Sequence, residues 1–146
     1  SAGLIDVLLS LDTAAYAVGD VLAATQEISL AVPTLGGATA LHSLQVLDKD
    51  DQGQPFDLLF FDTNVSIGVE NGAPTLTDTN VDKFLGLVSV AAEDFVDLGG
   101  CRIASLKNIG LALKAVSGSR SLFVAAISRG SGVYTASGIR LRLGMI

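Results

Sequence analysis

Short apolar stretches with β-branched or aromatic content recur along the chain, each bounded by Gly, Pro, Asn, Asp or Ser. This pattern predicts strands at about Ile5–Leu9, Val21–Leu30, Ala40–Leu47, Phe56–Phe61, Leu85–Val90, Ile103–Leu106, Leu111–Val116, Ser121–Ser128 and Ile139–Leu143. Eight or nine short strands with turn signals between them argue for an all-β sandwich or barrel, not a βαβ sheet. Helix is expected to be minimal. The best single turn is Asp78-Thr79-Asn80-Val81-Asp82-Lys83-Phe84, where a capping-type residue precedes a turn that inserts Val81 and Phe84. A rival helix is Leu4–Leu11, whose apolar residues fall on nearly every position, so that periodicity does not decide between helix and strand.

The last strand is the most legible. In Ile139-Arg140-Leu141-Arg142-Leu143-Gly144, strict alternation puts three apolar side chains on one face and both arginines on the other. Leaving those three apolar residues in water would forfeit roughly 5 kcal/mol of burial free energy, so that face joins the core. The turns also have a mechanism. Gly36-Gly37 and Gly99-Gly100 can adopt positive φ without steric cost. The polar run Asp48-Lys49-Asp50-Asp51-Gln52-Gly53-Gln54-Pro55 suits a hairpin, as does Ser117-Gly118-Ser119-Arg120. No internal repeat, low-complexity tract or linker divides the 146 residues, and one β-sandwich domain over 1–146 is expected.

Composition narrows the function classes. The chain is 49% apolar and only 16% charged, which rules out intrinsic disorder and points to an exterior partly covered by other protein. The single cysteine, Cys101, excludes an internal disulfide framework or a Cys-based zinc site within one chain, and is expected as a buried small hydrophobe. The opening Ser1-Ala2-Gly3-Leu4-Ile5-Asp6 has no basic region of a secretory signal, and no stretch reads as a membrane span, so a protein made in the cytosol is expected.

The charges are segregated. All 15 acids lie at or before Asp97, with Lys49 and Lys83 among them, a balance of −13 for residues 1–97. Residues 98–146 hold Arg102, Lys107, Lys114, Arg120, Arg129, Arg140 and Arg142 with no acid, a balance of +7. Basic strands set beside acidic ones within the fold would explain this, and so would contact of opposite charge between copies or with an acidic partner. The basic residues are spread singly and no aromatic-basic motif accompanies them, which argues against nucleic acid.

Catalytic constellations are thin. His42 is the only histidine; by alternation it shares a face with Leu44 and Val46, or is partnered at a sheet margin. There is no G-x-S-x-G elbow, no Walker A ending and no G-x-G-x-x-G. Asp48, Asp50, Gln52 and Gly53 resemble the first half of a calcium loop, but Leu59 stands where that loop needs a bidentate glutamate. Asp57 and Asp62 are carboxylates of the type used in glycoside hydrolysis, although aromatic platforms for a sugar are scarce. No cofactor, metal or catalytic residue is assigned.

Three phrases resemble small proteins found with tailed-phage head components. The first is Asp12-Thr13-Ala14-Ala15-Tyr16-Ala17-Val18-Gly19-Asp20, matching a D-T-x-x-Y-x-x-G-D opening. The second is Val46-Leu47-Asp48-Lys49 followed by Phe56-Asp57-Leu58-Leu59-Phe60-Phe61-Asp62. The third is Ser128-Arg129-Gly130-Ser131-Gly132-Val133-Tyr134-Thr135-Ala136, then Ile139–Gly144. The resemblance implies a head cement or decoration protein: a jelly-roll-like β-sandwich on the capsid exterior that ties neighbouring major capsid proteins together. It implies a homodimer or homotrimer, with no membrane or direct nucleic-acid partner and no enzyme activity. Another virion component of neck, tail or host-binding spike, and a carbohydrate-binding module, are the alternatives. The expected contact residues are Arg129, Arg140 and Arg142 on the basic side and Asp48, Asp50 and Asp51 on the acidic side.

Overall fold

A computed structural model describes residues 3–146. The strands are β1 (Gly3–Leu8), β2 (Val21–Ile28), β3 (Ala38–Asp48), β4 (Phe56–Phe61), β5 (Phe84–Val90), β6 (Phe95–Asp97), β7 (Arg102–Leu106), β8 (Leu111–Lys114), β9 (Leu122–Ser128) and β10 (Ile139–Met145). The described helix is confined to two 3-10 turns, Asn80–Lys83 and Ala92–Asp94. The Leu4–Leu11 ambiguity thus resolves as strand, because β1 lies along β10 and gains a full ladder there.

Two antiparallel sheets face each other. One has six strands in the order β1-β10-β3-β7-β6, with β8 pairing the other end of β3; the second has the order β2-β9-β4-β5. The pairings nest: β1 with β10, β2 with β9, β3 with β7 and β8, β4 with β5. An antiparallel ribbon folded over so that its nested strand pairs fall in two facing sheets is the double-sheet jelly roll, an arrangement used by viral capsid, lectin and cupin domains. The chain is therefore an all-β jelly-roll sandwich.

Alternation builds the core. Val7, Leu141, Val46 and Ala104 stand side by side across the six-stranded sheet and point inward, against Phe56, Leu58, Phe60, Val124 and Ala126 from the other sheet. In β10, Ile139, Leu141 and Leu143 are buried as the alternation requires. A second apolar cluster lies outside the four-stranded sheet, where Val65 and Ile67 cover Val21, Phe61, Ala125 and Ile127.

The structure corrects several local expectations. The loops 48–55 and 117–121 do not close hairpins, because β3 and β4, like β8 and β9, belong to different sheets. The short β6 was missed: it is three residues long, too brief for alternation to register, and forms the true hairpin with β7. The turn before β5 does not insert Val81 and Phe84, which remain 45% and 37% exposed; Phe84 packs edge to face with Phe61. Cys101 is only partly buried, at the end of the exposed turn 98–101 between β6 and β7.

His42 does not share the inward face of Leu44 and Val46. The register against β10 steps from Ser43↔Gly144 to Leu41↔Met145, so β3 holds one extra residue. This β-bulge resets the alternation: Leu41 enters the core and His42 is exposed.

Candidate interaction surface

The outer face of the six-stranded sheet is built by the residues that alternate with the core. The register sets Leu8, Arg140, Leu47, Ile103 and Val96 side by side across five strands. Beside this row runs a polar one of Asp6, Arg142, Gln45 and Ser105. Leu8 is exposed, Leu47 and Ile103 are half-exposed, and Val96 is 56% exposed at the far edge. The result is a nearly continuous apolar strip crossed by one arginine.

The charges on this face are organised within the chain. Asp6 Oδ1 accepts from Arg142 Nε at 2.9 Å, and Asp6 Oδ2 accepts from Arg140 Nη1 at 3.3 Å. The Arg142 guanidinium, helped by Arg140, holds the Asp6 carboxyl below its ordinary value. The trio still carries one net positive charge. Elsewhere, Arg129 pairs with Asp57 at 2.8 Å and Arg102 with Asp51 at 2.8 Å, with Asp97 at 3.5 Å. Each of these ion pairs joins an acid of residues 1–97 to an arginine of residues 98–146. Pairing within the fold thus uses much of the segregation visible in the sequence.

The acidic loop after β3 is organised from inside. Asp48 is 2% exposed, and its carboxylate accepts from the backbone N–H groups of Asp50, Gln52 and Gly53 at 3.1, 2.9 and 2.6 Å. Asp50 in turn accepts from the Thr135 N–H at 2.8 Å and from its hydroxyl. A β-carbon at Gly138 would overlap the Asp50 carboxylate, so only glycine admits this tie. Asp51, at φ 56°, faces Arg102. Of the three acids expected at a contact, Asp48 shapes the loop, Asp50 ties it to Thr135 and Asp51 pairs with Arg102. The loop is an anchored crossover between the sheets.

The structure separates other residues that the sequence offered together. Asp57 and Asp62 are five positions apart along and beyond β4, about 16 Å at strand rise, too far for a hydrolytic pair. Asp57 is held by Ser89 and Arg129, Asp62 by Thr63. Among the described residues no group of three or more His, Cys, Asp or Glu could hold a metal ion, and no helix is long and apolar enough to cross a membrane. Burial raises the Tyr16 and Tyr134 hydroxyls above their ordinary value; the rings meet edge to face, and the Tyr16 hydroxyl donates to the Leu22 carbonyl.

Sequence reasoning missed Asp6 and the apolar strip. A signal for both was present: Val46-Leu47 places apolar residues on both faces of β3, and Asp6 is the one acid in an otherwise apolar strand.

No protein-family model matches the chain, and no curated protein matches it. Among solved structures, it is similar to one of tomato aspermy virus, at 12% identity over 99% of this chain and 75% of that chain, with a TM-score of 0.43. It is also similar to one of desmodium yellow mottle tymovirus, at 10% identity over 99% of this chain and 83% of that chain, with a TM-score of 0.33. Likeness this loose adds nothing to the topology already described. The fold and the surface define the class: a jelly roll with one outer sheet face partly covered by its own chain and the other left open by the described residues.

Proposed function

We propose that this protein is a structural virion component, a cement or decoration protein that sits on the outside of a tailed-phage head and braces contacts between major capsid proteins. The observation that carries this reading is the open outer face of the six-stranded sheet. It offers the apolar strip of Leu8, Leu47, Ile103 and Val96 together with one net positive charge, left over where Arg140 and Arg142 share Asp6. An extended apolar strip flanked by polar groups is the surface expected of a protein that binds by shape. The three head-protein-like phrases supply the direction of the reading, and the jelly roll is compatible with it.

In this reading Arg140 and Arg142 bridge Asp6 to acidic groups of the shell and Asp50 and Asp51 border the contact, while Arg129, bound to Asp57 on the outer side of the four-stranded sheet, stands apart from this face. Asp48 contributes by holding the loop's shape. The test is quantitative mass spectrometry of this chain in purified phage particles, with localisation by electron microscopy. Hundreds of copies spread over the head are expected. A dozen or fewer at one vertex would make it a neck, tail or spike component, and absence from particles would overturn the virion reading altogether.

A further inference from the structure

The edges of the two sheets are protected unequally. The β6 edge is three residues long and carries Asp97. The β2 edge is broken by two register shifts against β9, which bend it. The β5 edge lies against β8, where Gly86 sits under the Leu111 side chain with no room for a β-carbon. The β1 edge is neither short, bent nor laid against another strand, and its one charge, Asp6, is bound by Arg140 and Arg142. It is six residues long, pairs with β10 in unbroken register, and carries Leu4 at 71% exposure. An edge of this kind is a template for another strand.

Its unpaired groups can be assigned. The Leu9 N–H donates to the Ile139 carbonyl at 3.1 Å, and antiparallel alternation then turns the backbone of Gly3, Ile5 and Val7 toward β10. The backbone of Leu4, Asp6 and Leu8 therefore faces outward. Of these groups the Leu8 carbonyl accepts from Gln26 Nε2 at 2.9 Å; the N–H groups of Leu4, Asp6 and Leu8 and the carbonyls of Leu4 and Asp6 have no partner among the described residues.

We propose that β1 is the docking edge for a second copy of this chain, the two β1 strands running antiparallel about a two-fold axis with Asp6 opposite the partner's Asp6. This two-fold register brings all three outward residues into pairs and places Leu4 against the partner's Leu8 on each side of the axis, apolar against apolar. The Asp6 carboxylates meet at the centre, each already bound by Arg142 and Arg140, so the shared row reads Arg-Asp-Asp-Arg across the junction. Four backbone hydrogen bonds form with uncontested groups, and two more form where Gln26 yields the Leu8 carbonyls. The pairing fuses two six-stranded sheets into one continuous sheet and doubles the open face. It does not depend on the virion reading.

Sedimentation of the full chain over a range of concentrations tests the proposal. A reversible monomer–dimer equilibrium is expected. Leu4→Lys with Leu8→Lys, which charges the edge, should weaken it about tenfold or more. Leu4→Pro should do the same while keeping the intrachain ladder, since the N–H it removes faces outward. Leu87→Lys, on the other sheet, should leave dimerisation unchanged. For register, cysteines are placed in a Cys101→Ser background. A mixture of Leu4→Cys and Leu8→Cys chains should cross-link on oxidation, because residues paired across strands lie about 5.5 Å apart at Cα. Leu4→Cys alone should not, its two copies being about 13 Å apart along the strand. A wild-type chain that stays monomeric at its highest soluble concentration, a dimer indifferent to Leu4→Pro, or a mixture that fails to cross-link overturns the proposal.

Discussion

On the four-stranded sheet, the segment between β4 and β5 lays Val65 and Ile67 over Val21, Phe61, Ala125 and Ile127, and none of these six exceeds 6% exposure. That segment is tied down by its own polar network: Asn71, at φ 64°, donates its side-chain amide to Asp12, Ala14 and Ala15, while its backbone N–H bonds the Val21 carbonyl. On the six-stranded sheet, the corresponding surface bears Leu8, Leu47, Ile103 and Val96 with no covering segment among the described residues. Both faces arise from strands with apolar residues on two sides. One was completed in folding, and the other remains available for association. The difference separates residues whose loss unfolds the protein from residues whose loss should impair binding.

The largest effect is expected under the covered face. Phe61→Ala removes a fully buried ring that packs on both the segment and Phe84, and should cost about 3–5 kcal/mol in urea unfolding. Leu47→Ala on the open face should cost about 1 kcal/mol or less. Equal losses would erase the distinction between the faces. Next comes the crossover from one sheet to the other. Asp48→Ala strands three backbone N–H groups that its carboxylate satisfies, and should cost about 3 kcal/mol by the same measurement. A smaller effect belongs to charge reversal on the open face. Arg140→Glu with Arg142→Glu should lower particle binding and its salt sensitivity, while the fold persists by circular dichroism.

The smallest effect is a pH dependence. The folded Asp6 carboxyl titrates below its unfolded value of 3.8, so its ion pairs contribute stability that is fully present above that value and lost as pH falls through the depressed folded one. Asp12, held down by the Asn71 amide that anchors the covering segment, behaves in the same sense. Asp6→Asn should therefore flatten the loss of thermal stability below about pH 4. Asp12→Asn should do so too, and for Asp12 the loss should accompany loosening of the covered face.

Much of the sandwich was legible because strand alternation and turn residues are local signals. Phe56–Phe61 was read to the residue, and the two faces of β10 follow from five consecutive side chains. The topology was not legible. Residues 48–55 look like a hairpin turn from within, and only the partners of β3 and β4, far along the chain, reveal a crossover. His42 failed for a similar reason: a bulge is defined against Gly144 and Met145, and nothing at position 42 announces it. Arg140 and Arg142 were legible from the alternation of the last strand, but their partner Asp6 required knowing that the first and last strands lie together. The covering role of Val65 and Ile67 was hidden because the segment that carries them is neither helix nor strand.

The central claim is that the open face of the six-stranded sheet is the binding face. Hydroxyl-radical footprinting of the free chain and of the chain attached to purified phage heads reads this directly. Loss of labelling at Leu47, Ile103 and Val96, with Val69 and Leu87 on the other side unchanged, is the predicted result. Protection of Val69 and Leu87 while Leu47, Ile103 and Val96 stay as reactive as in the free protein would contradict it.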